Sequence, residues 1–358
     1  MTRRAAADPG QAPAGPRPAL AGPSSRWVRS LRGAKRAPDP FTPISWFWEI
    51  EAVAPAVPAA PGERPDPIAA TAAIAAIAGR GAVAALTVLL AGAECPFACV
   101  FCDLWRETLD GPTPRGALPA QLRAVLAQAG SLPRPCAAKL YNASNFFEQR
   151  AVPVEDEPEL AEILAPFARV TVECHPRLVG DRCLAFAERL GGRLEVAMGL
   201  ETIHPQALAR LNKGMSLDDF DRAAGTLGAA GIGLRCFVLV GAPFVPREAT
   251  VDWAVRSAAH AFERGATRVA LIPVRGGNGA LEELRRRGDF VPPALDDLEE
   301  ALDRCLGLGS GLVAADLWEA ARLATCPECA AVRLERLERM NRTGAREPRQ
   351  GCDRCGWR

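Results

Sequence analysis

Between residues 94 and 105 the chain reads ECPFACVFCDLW, with cysteines at 95, 99 and 102. The C-x3-C-x2-C spacing gathers three thiolates within eight residues, and no fourth cysteine or histidine follows nearby. A structural zinc site uses four protein ligands, so here zinc would have to borrow one from a distant part of the chain. A [4Fe–4S] cluster takes one thiolate per iron. Cys95, Cys99 and Cys102 would hold such a cluster and leave one iron open to a small molecule. Three cysteines with no metal are the bland alternative.

A second group lies near the C-terminus: Cys326 and Cys329 in CPEC, Cys352 and Cys355 in CDRC. Two such knuckles offer four thiolates to one ion, the pattern of a closed structural zinc site. An auxiliary iron–sulfur cluster is the competing reading. The stretch between them, with AAVRLERLERMNR, reads as a basic helix, either a solvated face or a contact to RNA. Cys136, Cys174, Cys183, Cys236 and Cys305 stand singly in apolar patterns and read as small core residues; Cys174 is the one placed to see a site.

The chain has 358 residues, 12 of them cysteine, 49% hydrophobic content and a formal net charge of +1. Net charge therefore gives no argument for a nucleic-acid partner. The Arg3-Arg4 pair lacks the apolar run of an export signal. Clustered cysteines in a chain this long point to metal ligation in a reducing compartment, so a cytoplasmic protein is expected. The alanine-rich run from Ile68 to Leu90 is broken by Gly79, Arg80 and Gly81. It reads as a short helix, a turn and a strand rather than a membrane span.

Elements must position these cysteines. Six apolar runs of strand length occur at 83–90, 137–141, 169–174, 193–200, 233–240 and 268–274, and helical patterns separate them. Near-continuous apolar strands suggest a parallel sheet buried on both faces. Right-handed crossovers then give an open doubly wound sheet or a partial barrel, and loops at the carboxyl ends of the strands build the site. The three-cysteine loop follows the first run and so falls on that face. The expected organisation is a disordered Pro/Ala-rich basic tail (1–40), a lead-in segment and linker (41–81, the linker at 54–67), a core (82–310) and a Cys-rich extension (311–358).

A C-x3-C-x2-C loop after the first strand, with the aromatic Phe101 before its last cysteine, resembles the radical S-adenosylmethionine (SAM) superfamily. The stretches VECHP, GLET, LNKGM and FVLVGAPF are similar to the branch of the Elongator catalytic subunit and the archaeosine-forming radical enzyme. The resemblance implies an α/β fold, a partial (βα)6 TIM-like barrel with a small metal-binding extension. It implies an enzyme whose open iron chelates SAM, whose cluster cleaves it reductively to a 5′-deoxyadenosyl radical, and whose electrons come from a ferredoxin or flavodoxin. A modified tRNA base is the implied substrate; a small metabolite or peptide is the alternative. A zinc-ribbon nucleic-acid-binding protein with a non-catalytic barrel is the competing function.

By strand order, Asn142, Ser144 and Asn145 follow the second strand, where the superfamily contacts the methionine amino group. Their loop lacks the usual Gly-Gly-Glu form. Glu173 and Glu201 end strands three and four; Glu201 is expected on the ribose, and Glu173 on cofactor or substrate. Arg235, opening strand five, is placed in the same cofactor-binding set, or in a salt bridge to one of these carboxylates, as is Arg177. Pro243 in VGAPF suits a flat adenine ring. His175 is a hydrogen-bond donor or a loop residue, Arg275 an anion partner or structural, and Lys213 the cation at a helix end.

Overall fold

The computed structural model describes residues 22–35, 37–52 and 82–357. Residues 1–21 of the tail expected over 1–40, the linker at 54–67 and the short helix expected after Ile68 lie outside them.

One sheet of eight strands, arranged in chain order, organises the described residues. β1 (Ser45–Ala52) runs antiparallel to β2 (Ala82–Leu89). β3 (Cys136–Tyr141), β4 (Arg169–Glu173), β5 (Leu194–Glu201), β6 (Gly233–Val240), β7 (Arg268–Pro273) and β8 (Leu312–Ala315) continue it in parallel. The six expected strands are β2 to β7. The aromatic lead-in segment docks as β1, and β8 adds a strand beyond the expected set.

Ten helices flank this sheet among the described residues. They are α1 (Ser25–Ser30), α2 (Ala117–Ala129), α3 (Glu157–Leu164), α4 (Asp181–Arg189), α5 (Pro205–Arg210), α6 (Leu217–Ala229), α7 (Thr250–Glu263), α8 (Ala280–Arg286), α9 (Leu295–Leu306) and α10 (Ala330–Thr343). The start of α6 shows why local sequence fixes these boundaries. The Ser216 hydroxyl accepts from the Asp219 N–H, and Asp219 accepts from the Ser216 N–H, a reciprocal cap.

The main core lies between one face of the sheet and the helices, where Leu86, Leu140, Val172, Met198 and Val238 meet Leu122, Leu160, Phe186 and Leu227. Cys136, Cys174, Cys183, Cys236 and Cys305 are all buried within it. The other face differs from the expectation of apolar burial on both sides. Lys139, Thr171, Glu195, Arg235 and Arg268 stand one per strand on consecutive strands β3 to β7 and interact with one another and with β1. Arg235 donates to Glu195 at 3.1 Å and to Glu51 at 2.6 Å, Lys139 lies 2.6 Å from Glu51, and Thr171 donates to Glu195 at 2.7 Å.

These pairs establish the curl of the sheet. Glu51 is on β1 and Arg235 on β6, five strand spacings away, about 24 Å in a flat sheet. Contact at 2.6 Å requires the sheet to close on itself as a partial barrel. Burial raises the pKa of Glu51, but Lys139, Arg235, Arg169 and Arg268 outweigh it and hold the carboxyl well below its usual range. The lower barrel is thus filled with paired polar and charged side chains.

Part of the segment expected to be a disordered tail is ordered. Ser24 caps α1, Val28 is 3% exposed, and the arm from 22 to 35 lies against the three-cysteine loop. The Arg29 guanidinium donates to the Pro96 carbonyl at 3.0 Å, Arg32 pairs with Glu94, and Lys35 donates to the Leu109 carbonyl at 2.8 Å.

Candidate active site

The loop from 94 to 108 leaves β2 and returns to it. A short parallel bridge joins Ala93 to Leu109, and the Leu109 N–H donates to the Gly92 carbonyl at 2.9 Å. Its cysteines fall at the carboxyl-end mouth. Asn278, in the loop after β7, donates to the Val100 carbonyl at 2.8 Å, and the Val100 N–H donates to Leu211 at 3.0 Å. A second apolar cluster supports it from below, where Ala98, Val100 and Phe101 pack with Val28 of α1, Leu239, Ala242 and Phe244. Phe101 thus packs in this apolar cluster, and Pro243, between its members Ala242 and Phe244, is buried.

Burial raises all three thiols, Cys99 to about 12. A metal centre here must displace protons as it binds.

The loop after β3 lies beside them. Asn145 donates to the Cys95 sulfur at 3.3 Å. Asn142 is 1% exposed, yet neither end of its carboxamide has a hydrogen-bond partner, and the buried Ser144 hydroxyl has none either. Buried polar groups are seldom left so, at a cost of about 1–3 kcal/mol each. Ala143 between them has φ of 53°. Unsatisfied buried groups and a sparsely populated backbone geometry thus lie together in this loop.

Across the mouth, the Lys213 ammonium lies 2.7 Å from the Glu201 carboxylate, and both side chains are almost fully buried. Burial disfavours the Lys213 charge, but Glu201 and the sulfurs of Cys99 and Cys95 outweigh it and raise its pKa. Glu201 has φ of 67°, and the β5–β6 register shifts between Gly199 and Glu201, which swings the carboxylate back over the strand. A Cβ at Gly199 would stand 1.9 Å from Glu201 Oε1, so only glycine leaves room for the pair. Burial raises the neighbouring Glu173 carboxyl to about 7; Lys213 opposes the rise and Glu201 adds to it.

The structure corrects several sequence expectations. Arg235 is not at the mouth: it sits early in β6, and its guanidinium is engaged by Glu51 and Glu195. The alternative salt bridge from Glu201 to Arg235 or Arg177 does not form: Glu201 pairs with Lys213, and Arg177 donates to the Gly214 carbonyl at 3.1 Å. His175 is a structural residue. Its ring stacks on Phe97 at 3.8 Å, Nδ1 accepts from the Arg177 N–H, and Nε2 donates to the Lys213 carbonyl at 3.0 Å. Arg275 pairs with Asp316 at 2.7 Å.

Sequence reasoning named Lys213 only as the cation at a helix end, because LNKG reads as one. The signal was composition. The chain has three lysines, Lys35, Lys139 and Lys213, among 43 basic residues. All three are turned inward onto carboxylates.

The C-terminal cysteines come together. The sulfurs of Cys326, Cys329, Cys352 and Cys355 all lie within 4.8 Å of one another, with Cys329 and Cys355 3.7 Å apart. Four thiolates at 2.3 Å around one tetrahedral ion stand about 3.8 Å apart. The group docks through Trp357, whose indole N–H donates to the fully buried Glu299 at 3.0 Å, and through Arg333, which donates to the same carboxylate at 2.6 Å. The neighbouring basic stretch is largely neutralised. Arg336 pairs with Asp303, Arg339 with Glu347, Arg349 with Glu300 and Arg354 with Glu328.

No protein-family profile matches the chain. Archaeosine synthase subunit beta of Methanosarcina acetivorans is 25% identical over 230 residues, 61% of this chain and 65% of that protein. An uncharacterised protein of Methanocaldococcus jannaschii is 23% identical over 170 residues, 46% of this chain and 47% of that one. The chain thus spans about half to two thirds of the length of these relatives. Solved structures with a similar fold include Elp3 of Methanocaldococcus infernus (15% identity, TM-score 0.47, 63% of this chain and 59% of that chain). Another is coproporphyrinogen III oxidase of Escherichia coli, described as a radical SAM enzyme (13% identity, TM-score 0.44, 61% and 51%). Among the described residues no helix is long and apolar enough to cross a membrane.

Proposed function

We propose that the chain is a radical SAM enzyme with residues 82–310 as its catalytic core, in a reducing compartment and supplied by an external one-electron donor such as a ferredoxin or flavodoxin. The observation that carries the reading is the unsatisfied Asn142 carboxamide and Ser144 hydroxyl, buried beside a three-cysteine loop. When bound, a [4Fe–4S] cluster with an open iron supplies the electron that splits the sulfonium compound and starts hydrogen abstraction from substrate.

The chain's own residues do the rest. Cys95, Cys99 and Cys102 would hold the cluster. Asn142 and Ser144 would take the polar end of the methionine moiety. Glu201, fixed by Lys213, would accept hydrogen bonds from ribose, as carboxylates do in other nucleoside sites. Phe101 and Pro243 would border the adenine. Glu173 faces cofactor or substrate, and the ion network below the mouth excludes water from the far end of the barrel.

We read the substrate as a modified base in tRNA, supported by the similarity to archaeosine synthase subunit beta. RNA that copurifies and is released by high salt supports this; its absence favours a small metabolite or peptide. We read the four C-terminal cysteines as a zinc site, supported by their single-ion spacing. A zinc-ribbon nucleic-acid protein draws less support, since the arginines around that site are engaged by acids.

The test is anaerobic reconstitution with iron and sulfide, then dithionite and SAM. 5′-Deoxyadenosine should form and should vanish in Cys102→Ser. Purified protein holding zinc but accepting no iron or sulfide would favour the binding protein.

A further inference from the structure

We propose that Asn145 raises the reduction potential of the centre held by Cys95, Cys99 and Cys102, through its hydrogen bond to the Cys95 sulfur. The inference rests on reading that loop as a cluster site.

The loop after β3 divides its polar side chains between two tasks. Asn142 and Ser144 have no partner within the protein. Asn145 is different: its carboxamide N–H already donates to Cys95 Sγ at 3.3 Å, and the residue is 5% exposed. Its backbone is fixed on both sides of the side chain. The Asn145 carbonyl accepts from the Glu148 N–H at 3.1 Å, and the Phe146 N–H donates to the Glu173 carbonyl at 2.8 Å. The Phe146 ring, 1% exposed, packs on Phe186 at 4.9 Å between centroids. A carboxamide anchored this way stays aimed at the sulfur.

Reduction adds one electron to a cluster whose ligands are already anionic. A donor pointing at a ligand sulfur stabilises the reduced, more negative state more than the oxidised one, and low local dielectric enlarges the difference. The nearby Lys213 cation also faces Cys95 and Cys99, but Glu201 largely offsets its charge at 2.7 Å. Asn145 carries no such counter-charge. In the step itself an external donor, dithionite in the test, passes one electron to the cluster. Asn145 keeps its protons, and no bond to it forms or breaks.

Wild type, Asn145→Leu and Asn145→Asp would be reconstituted anaerobically and titrated with dithionite while the reduced cluster is followed by electron paramagnetic resonance. Both variants keep the size of asparagine. Iron and sulfide per chain should match wild type. The midpoint should move negative in Asn145→Leu, by about a tenfold change in the reduction equilibrium, which is 59 mV for one electron. It should move further in Asn145→Asp, where a carboxylate faces the thiolate. Equal midpoints with intact clusters overturn the proposal. Loss of the cluster from both variants also overturns it, making Asn145 a support of the loop. A wild-type chain that takes up no cluster overturns the parent reading instead, and the wild-type arm alone reveals it.

Discussion

Lys213 and Glu201 form the most consequential pair at the mouth, because neither can be buried alone. Lys213→Ala should destabilise the protein by roughly 3–5 kcal/mol by leaving a carboxylate uncompensated. Lys213→Met with Glu201→Leu should recover most of that stability in chemical denaturation while cofactor binding stays lost. The two titrating residues nearby act in opposite directions with pH. Burial holds His175 down to about 3, against 6.5 unfolded. The unfolded chain therefore binds the proton more readily, and stability from this residue is full above 6.5 and declines as pH falls toward 3. Glu173, raised to about 7 from 4.5, is protonated more readily when folded. Its contribution is full below 4.5 and is lost as pH rises through 7. The two contributions cancel between pH 4.5 and 6.5, so urea midpoints should be nearly flat there, should fall with rising pH in His175→Phe and should rise with it in Glu173→Gln. The position of the cysteines and of Glu201 at the carboxyl ends of strands could be read from the sequence. His175 could not, since Phe97 and the Lys213 carbonyl reach it from other strands' loops, and Lys213 meets Glu201 only because the irregular end of β5 turns that carboxylate back.

The arm around α1 is an element that composition concealed. Its Pro/Ala/Arg content reads as disorder, and a helix of six residues has little stability by itself. Tertiary contact decides it: Val28 enters the cluster of Ala98 and Val100, and basic side chains grip the loop at Pro96, Glu94 and Leu109. Burying a valine contributes roughly 1.5–3 kcal/mol. Val28→Asp forfeits this and sets a charge beside the cysteine loop. The reconstituted cluster should then bleach several-fold faster under a chelator, while the far-UV spectrum holds; an unchanged rate would free the loop of its dependence on the arm. The strands were legible for the opposite reason, since their apolar outer faces repeat with the right length and spacing. What those runs hid was one polar residue each on β3 to β7. Placing Arg235 by sequence order alone sent it to the cofactor, whereas its position early in β6 sends it to the ion network.

Among the described residues the curled sheet forms a partial barrel with two ends of different character. The lower end is closed by β1 and its glutamates, and the carboxyl end carries the cysteines, the unsatisfied polar loop and the Lys213–Glu201 pair. The C-terminal knuckles are fastened to α9 by Glu299, Arg333 and Trp357, so metal there should stabilise the body as well as the extension. Chelation should release about one zinc per chain and lower the melting temperature, and Cys329→Ser should reproduce this without removing the iron; release of iron and sulfide from this site would overturn the zinc reading. The central claim is an iron at Cys95, Cys99 and Cys102 that no side chain caps. The most direct measurement is electron–nuclear double resonance on the reduced cluster with SAM labelled by 15N and 17O in its methionine moiety. The account predicts coupling from both labels to one iron, absent from unlabelled samples. A fourth protein ligand on that iron with SAM present, and no coupling from either label, would contradict it.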